Sequence, residues 1–107
     1  MAEPASARSV EFHPRAEAEY LAELDRLLGL DPLVAGDFQD EVSAGVAFVL
    51  DHPQASPAVG RSKALREKVL GRFRFTLIYA VDRDLIRIIA VAHHGRRPGY
   101  WRDQLRR

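Results

Sequence analysis

Residues 73–101 read FRFTLIYAVDRDLIRIIAVAHHGRRPGYW and carry the strongest structural pattern of the sequence. Every second residue from Phe73 to Val81 is a large apolar one, whereas the residues between them are Arg74, Thr76, Ile78 and Ala80, a pattern typical of a β-strand. The tight connection Asp82-Arg83-Asp84 then leads into a second apolar, β-branched strand, Leu85 to His93. This predicted hairpin runs directly into a cluster of cations and aromatic rings: His93, His94, Arg96, Arg97, Tyr100 and Trp101. We therefore expect function to reside at this edge of the sheet.

Upstream of the hairpin, the spacing of apolar residues predicts two helices. The first covers Arg15 to Leu28, with Gly29 as its predicted C-terminal stop. Asp31-Pro32 combines an N-cap with proline at the first helical position and predicts a second helix that runs to about Asp51. The short link between the two helices favours an antiparallel helical hairpin. Glu17, Glu19 and Glu23 are expected to form the solvated face of the first helix.

Two further strands complete the predicted fold. Ser9 to Phe12 alternates polar and apolar residues, and Leu65 to Leu70 follows a loop at residues 52–62 that contains two prolines and a glycine. The predicted order is β-α-α-β-β-β. This order is typical of an α+β fold in which a helical hairpin packs on a small, mostly antiparallel sheet.

Composition limits the kind of protein. A length of 107 residues predicts one domain over residues 1–107, and residues 1–8 are expected to form a flexible N-terminus. No apolar run approaches the roughly 18 residues of a membrane span, so no membrane partner is expected. The chain has no cysteine and no recognisable export signal, which favours a cytoplasmic location. We expect no cofactor, and no metal site because only His93 and His94 are close in sequence.

The net charge of +1 conceals a division between the two halves of the chain. Residues 1–60 carry three Lys+Arg and eleven Asp+Glu, which gives −8, whereas residues 61–107 carry thirteen and four, which gives +9. Such asymmetry favours a basic face that binds a polyanion or an acidic partner. The alternative is that the two halves pair with each other across the fold.

The cluster after the last predicted strand is the candidate chemical site. Arg96 and Arg97 could hold a phosphate and stabilise charge that develops on it, or could belong to a solvated basic turn. His93 is either a general acid or base near neutral pH or a hydrogen-bonded strand-end histidine. Tyr100 could stack on an exposed base, or could transfer a proton if neighbouring arginines lower its pKa. Trp101 could stack on a base, or could fold back against the core.

A second basic group precedes and enters the long strand. Its members are Arg66, Lys68, Arg72 and Arg74, and we assign them, with Arg97 and Trp101, to nucleic-acid or partner binding. By strand alternation Arg74 shares a face with Thr76. If the helices cover the opposite, apolar face, Arg74 lies on the open side of the sheet.

The pattern of the whole chain from Val10 to about Trp101 resembles the RelE/ParE superfamily of small bacterial toxins from type II toxin–antitoxin modules. The resemblance rests on the V-E-F-x-P-x-A opening, the helical hairpin, the F-x-F-x-L-I-Y-x-V and I-x-I-x-A-V-A-H strands and the closing H-G-R-R-P-G-Y-W. It implies a cytoplasmic toxin whose partner is an antitoxin encoded by a neighbouring gene. RelE-like members cleave mRNA on the ribosome, whereas ParE-like members inhibit DNA gyrase.

The resemblance assigns roles to single residues. Arg96 falls on the late catalytic arginine of the RelE-like nucleases and Tyr100 on their C-terminal tyrosine. With His93 and Arg74 added from the residue-level argument, these are the catalytic candidates of a ribosome-dependent mRNA endonuclease. In such an enzyme the 2′-hydroxyl attacks the adjacent phosphate.

Thr76 and Ala80 depart from the nuclease pattern, since related nucleases often carry arginine at both positions. Arg74 is the candidate replacement, although a shift of two strand residues moves it by roughly 6.6 Å. The departure favours the alternative of a gyrase inhibitor without a nuclease centre. A degenerate member that only binds an antitoxin is the third hypothesis.

Overall fold

The computed structural model describes residues 8–60 and 64–106, and it contains two helices and a four-stranded sheet within these ranges. Their order is β-α-α-β-β-β, with a short 3-10 turn before the third strand and a C-terminal 3-10 helix. The elements are β1 (Ser9–Phe12), α1 (Pro14–Leu30), α2 (Pro32–Asp51), β2 (Leu65–Leu70), the turn Gly71–Phe73, β3 (Phe75–Asp82), β4 (Leu85–His93) and the 3-10 helix Tyr100–Arg106. The predicted α+β fold is confirmed.

A single residue, Asp31, joins the two helices. Its backbone N–H bonds to the carbonyl of Leu27 and ends α1, while its side chain accepts a hydrogen bond from Leu33 N–H at 3.0 Å and caps α2. The predicted stop at Gly29 is wrong because the extended backbone of Asp31 ends α1 without a left-handed glycine. In the described part of the chain, neither helix is long and apolar enough to cross a membrane.

The strands lie in the order β1-β4-β3-β2. The β3–β4 and β2–β3 pairs are antiparallel, whereas β1 runs parallel to β4. A parallel connection needs a crossover, and the helical hairpin supplies it. The sheet is therefore mostly antiparallel, as predicted, and β4 is central to it although it ends the sheet in sequence.

The main core fills the space between the helices and one face of the sheet. Its centre is Phe38 of α2, whose ring lies 5.4 Å from those of Phe73 and Phe75. Leu77 and Tyr79 of β3 are fully buried against it, and the Tyr79 hydroxyl donates to the Pro53 carbonyl at 3.0 Å. The alternation of apolar residues in the long strand thus identified the face that the helices cover.

The opposite face of the sheet carries a second, smaller core instead of lying open. Residues of the 52–60 loop and the C-terminal 3-10 helix cover it, and its buried members are Val59, Leu65, Ile78, Ile89, Ala90 and Trp101. The expected open face is therefore wrong for most of its length. Most residues of β4 are apolar, and both faces of this strand are largely buried.

The long strand starts later than predicted, at Phe75 and not at Phe73. Gly71–Phe73 form a 3-10 turn, and Arg74 takes a left-handed conformation with φ of 59° before the chain enters β3. Phe73 keeps its place in the alternating pattern because its ring still packs on Phe38. Arg74 consequently lies outside the strand and does not share a strand face with Thr76.

The expectation of a flexible N-terminus falls on residues 1–8, of which residues 1–7 lie outside the described part of the chain. Arg8 is described, and its guanidinium donates to the Leu50 carbonyl at 2.9 Å. This contact joins the start of β1 to the end of α2.

Candidate functional site

The loop of residues 94–99 connects β4 to the C-terminal 3-10 helix and carries Arg96 and Arg97. His94 fixes its start: the backbone N–H donates to the Arg74 carbonyl at 2.8 Å, and Nε2 lies 2.9 Å from the Thr76 hydroxyl. Gly99 turns its end with φ of 76°, where a Cβ would lie 1.9 Å from an Arg102 nitrogen. Only glycine fits this position without a shift of its neighbours.

Glu19 of α1 is the residue of this site that sequence reasoning missed. Its side chain is only 17% exposed, and one carboxylate oxygen accepts a hydrogen bond from Val91 N–H at 3.0 Å. The other oxygen accepts a hydrogen bond from the Tyr100 hydroxyl and lies 3.6 Å from Nη1 of Arg96. Glu19 therefore joins β4, the loop and the 3-10 helix to α1.

The prediction of a solvated glutamate face is wrong for two of its three members. Besides Glu19, Glu23 is mostly buried, and the Arg26 guanidinium bonded to it holds its carboxyl pKa below the usual value. Only Glu17 is exposed. Helical spacing carried a signal for this outcome, because Glu19 and Glu23 follow the fully buried Ala16 at intervals of three and seven residues.

The unequal lengths of β1 and β4 explain why a carboxylate lies here. β1 ends at Phe12, opposite Ile88, and His13 N–H bonds to the Ile88 carbonyl as the last backbone contact between the two segments. Farther along β4, Val91 N–H has no β1 residue opposite it. A buried N–H requires an acceptor, and Glu19 supplies it.

Tyr100 retains its proton in this environment. Burial raises the pKa of its hydroxyl well above the ordinary value, and both the hydrogen bond to Glu19 and the charge of that carboxylate act in the same direction. The charge of Arg96 opposes the shift but is the weaker influence on the pKa. Proton transfer by Tyr100 was predicted only if neighbouring arginines lower its pKa. The pKa is raised instead, so this condition is not met.

The two arginines of the loop differ in their surroundings. The guanidinium of Arg96 lies 3.7 Å from the centre of the Tyr100 ring, and its side chain remains 55% exposed. Arg97 is exposed and makes no side-chain hydrogen bond or ion pair with any residue that the structure describes. Arg97 is thus the cation of this loop that is available to an external anion or acidic surface.

His93 matches the hydrogen-bonded alternative. Its Nδ1 accepts from Gly95 N–H at 2.9 Å, and its ring packs edge-on against Phe75 at 5.0 Å. The residue is nevertheless exposed at the end of β4. Trp101 matches the packing alternative, because it is 4% exposed in the second core and has no free ring face for a base to stack on.

The second basic group lies away from this loop. Arg66 donates to the carbonyls of Gln54 and Ser56, and so its guanidinium holds the 52–60 loop. The Lys68 ammonium lies 4.4 Å from the centre of the Phe48 ring. Both residues belong to β2, an edge strand that β3 separates from β4. Lys68 thus packs against α2, and Arg66 against the 52–60 loop.

The other two members of that group lie near the 3-10 turn. Arg72 is mostly exposed and forms an ion pair with Asp37 of α2 at 2.9 Å. Arg74 is exposed beside it, and its carbonyl receives the His94 N–H. Arg74 contributes backbone to the loop anchor, and its side chain has no partner among the described residues.

A shallow cavity of about 270 Å³ opens beside the loop on the sheet face away from the helices. Its lining includes Thr76, His93, His94, Arg96, Arg97 and Trp101. The Thr76 hydroxyl is already bonded to His94, and among the charged residues of the lining three arginines outnumber the one carboxylate, Glu67. Such a cavity is suited to a phosphate or a carboxylate.

Comparison with known proteins agrees with this fold. The family described as "ParE toxin of type II toxin-antitoxin system, parDE" matches residues 10–98. One solved structure, a chromosomal ParDE toxin–antitoxin system from P. aeruginosa, aligns with a TM-score of 0.68 at 19% identity and covers 82% of this chain and 97% of that chain. Comparison with curated proteins gives no significant match.

The structural alignment shows that the chain shares its fold with a chain of that ParDE system. The family match extends over most of the sequence, and the chain belongs to the ParE toxin family of type II toxin–antitoxin systems. The family match confirms the resemblance predicted from the sequence. Membership implies an antitoxin as partner.

Proposed function

We propose that this toxin inhibits DNA gyrase and does not cleave RNA. The observation that carries the proposal is the contact of Tyr100 with Glu19. A general acid or base works best when its pKa lies near the working pH. Tyr100 has a raised pKa and donates its proton to a carboxylate, so it is poorly suited to accept a proton from a ribose hydroxyl.

The groups that would stabilise charge on a cleaved phosphate are also few. Thr76 and Ala80 stand where related nucleases often carry arginine, and Arg74 lies in the turn before β3. Arg96 remains, but the carboxylate of Glu19 lies 3.6 Å from it and would repel a phosphate. These features support binding by the loop over catalysis by it.

A ribosome-dependent mRNA endonuclease is the second candidate, and one observation favours it. His93, Arg96 and Arg97 line the same cavity, so an exposed histidine and two cations lie within reach of one ligand. In that case His93 would transfer the proton and the arginines would hold the phosphate.

The proposal includes an antitoxin with an acidic amphipathic segment, encoded by a neighbouring gene, and a cytoplasmic location for both proteins. Charge supports the choice of partner. Residues 61–107 carry thirteen basic and four acidic residues. Opposite charge on a partner accelerates association and selects against other surfaces.

Expression without the neighbouring gene, followed by mapping of RNA ends and of plasmid topology, tests the proposal. We expect growth arrest with intact mRNA and relaxed plasmid. His93→Ala should still arrest growth. Arg97→Ala should require at least about ten times more toxin for the same arrest, because it loses a charged contact with the target. New RNA ends that disappear in His93→Ala would select the endonuclease. Harmless expression at verified protein levels would indicate a member that only binds its antitoxin.

A further inference from the structure

Glu19 ties three successive parts of the C-terminal region to α1. Val91 belongs to β4, Arg96 to the loop and Tyr100 to the 3-10 helix, and the carboxylate contacts all three. The contacts span 72 and 81 residues for the two hydrogen bonds, so they join the first helix to the end of the chain. A charged, mostly buried acceptor of this kind makes stronger hydrogen bonds than a neutral one.

We propose that Glu19 is a positioning residue, which holds the 94–99 loop so that Arg97 faces outward towards the toxin's target. The statement about the target rests on the proposed function. The statement about the loop does not, since it concerns contacts within the chain alone.

The other anchors of the loop explain why Glu19 is needed. His94 fixes the start of the loop through Arg74 and Thr76, and Trp101 inserts into the second core beyond its end. Between these anchors the only polar side-chain contacts that the described residues make with α1 are those of Arg96 and Tyr100 with Glu19. Without Glu19 the loop would lose its connection to the helix, while both ends stayed attached to the sheet.

Removal of the carboxylate should therefore act locally. In Glu19→Ala the Val91 N–H loses its acceptor, the Tyr100 hydroxyl loses its partner and the Arg96 guanidinium is released from the side of α1. The main core contains none of these groups except the Val91 side chain. We expect faster opening of the loop and 3-10 helix with little change in the centre of the sheet.

Amide hydrogen exchange on the full chain measures this directly. The reporters are the amides of Tyr100 and Arg102, which bond to the carbonyls of Arg97 and Gly99, with buried Val42 of α2 as the core reference. We expect Glu19→Ala to accelerate exchange at both reporters about tenfold or more, the loss that corresponds to a charged hydrogen bond. Glu19→Gln keeps an acceptor oxygen and should show a smaller acceleration. Asp25→Ala, which removes an exposed carboxylate from the same helix, is the matched control and should show none.

The second readout is inhibition of purified gyrase by the same variants. Glu19→Ala should lose inhibition to about the same extent as Arg97→Ala, and Glu19→Gln should recover part of it. If Glu19→Ala does not fold, Glu19→Gln and Tyr100→Phe provide the same comparison, because each removes part of the contact set.

Each result decides one of the two statements. Unchanged exchange at Tyr100 and Arg102 would overturn the positioning role whatever the target is. Equal acceleration at Val42 would also overturn it, because the substitution would then lower the stability of the whole domain. Accelerated exchange with undiminished inhibition would show that the loop position does not matter to gyrase. If the wild-type toxin leaves gyrase untouched, the proposed function fails, and the exchange comparison alone still decides the role of Glu19.

Discussion

For single residues, the clearest case is Tyr100, where a neighbouring carboxylate raises the pKa of the hydroxyl and a neighbouring guanidinium lowers it. Glu19 accepts a hydrogen bond from the half-buried Tyr100 hydroxyl, while the more exposed Arg96 guanidinium lies over the ring. The pKa of the phenol rises because burial and the carboxylate outweigh the arginine. Tyr100 therefore acts as a hydrogen-bond donor that secures the C-terminal 3-10 helix.

This state predicts how stability depends on pH. The folded protein holds the Tyr100 proton more tightly than the unfolded chain does, and an ordinary tyrosine ionises near pH 10.0. The contact therefore stabilises the fold fully below that pH, and its contribution is lost as pH rises through the higher folded pKa. We expect the free energy of unfolding, measured by urea titration, to fall more steeply above about pH 10 in the wild type than in Tyr100→Phe.

At neutral pH the same substitution should lower the free energy of unfolding by about 1–2 kcal/mol, the loss of a partly buried hydrogen bond to a charged group. The comparison with Tyr100→Phe cancels the ionisation of the other tyrosines and of lysine. Parallel pH profiles for the two proteins would contradict the assignment of the proton to Tyr100.

At the scale of elements, α2 offers a matched pair of glycines. Gly36 has no heavy atom within 4 Å of a built Cβ, whereas a Cβ at Gly45 would lie 2.7 Å from Leu70 and 3.2 Å from Leu77. We expect Gly36→Ala to raise the free energy of unfolding by about 0.5–1 kcal/mol through helix propensity. Gly45→Val should lower it by about 1–3 kcal/mol, because the helix would have to move away from the sheet.

Urea titration of the two glycine variants at neutral pH checks this pair. A stabilised Gly45→Val would mean that α2 does not pack as closely on β2 and β3 as the structure has it. Circular dichroism of both variants serves as the control that the helices still form.

The elements themselves were predictable because each is encoded locally. Asp31-Pro32 marked the helix junction, and apolar alternation marked the strand that contains Leu77 and Tyr79. The predicted element boundaries were wrong where a tertiary contact, and not the local sequence, determines the backbone conformation. Phe73 kept the strand periodicity while lying in a 3-10 turn, since its ring packs on Phe38.

The site was predictable only in part, for the same reason. Arg96 and Tyr100 are four residues apart, so their proximity follows from the sequence. Glu19 lies 81 residues from Tyr100, and nothing in either segment alone indicates that α1 crosses beside the end of β4. The burial of Trp101 similarly depends on the 52–60 loop, which supplies Val59 to the same core.

For the molecule as a whole, pairing between the two halves accounts for only part of the division of charge. Three ion pairs join the acidic and basic halves among the described residues: Arg72 with Asp37, Arg87 with Glu11 and Arg96 with Glu19. Arg97 and Arg74 stay exposed without such partners in the described part of the chain. The basic half thus retains cations for an antitoxin or a target.

A supercoiling assay with purified gyrase measures whether the toxin acts on this enzyme. Relaxed plasmid, ATP and gyrase are titrated with the wild-type toxin, with Arg97→Ala and with Asp25→Ala as the surface control. We expect the wild type and Asp25→Ala to block supercoiling at the same concentration, and Arg97→Ala to require at least about ten times more. If the wild-type toxin arrests growth but an excess of it leaves supercoiling at its full rate, gyrase is not the target.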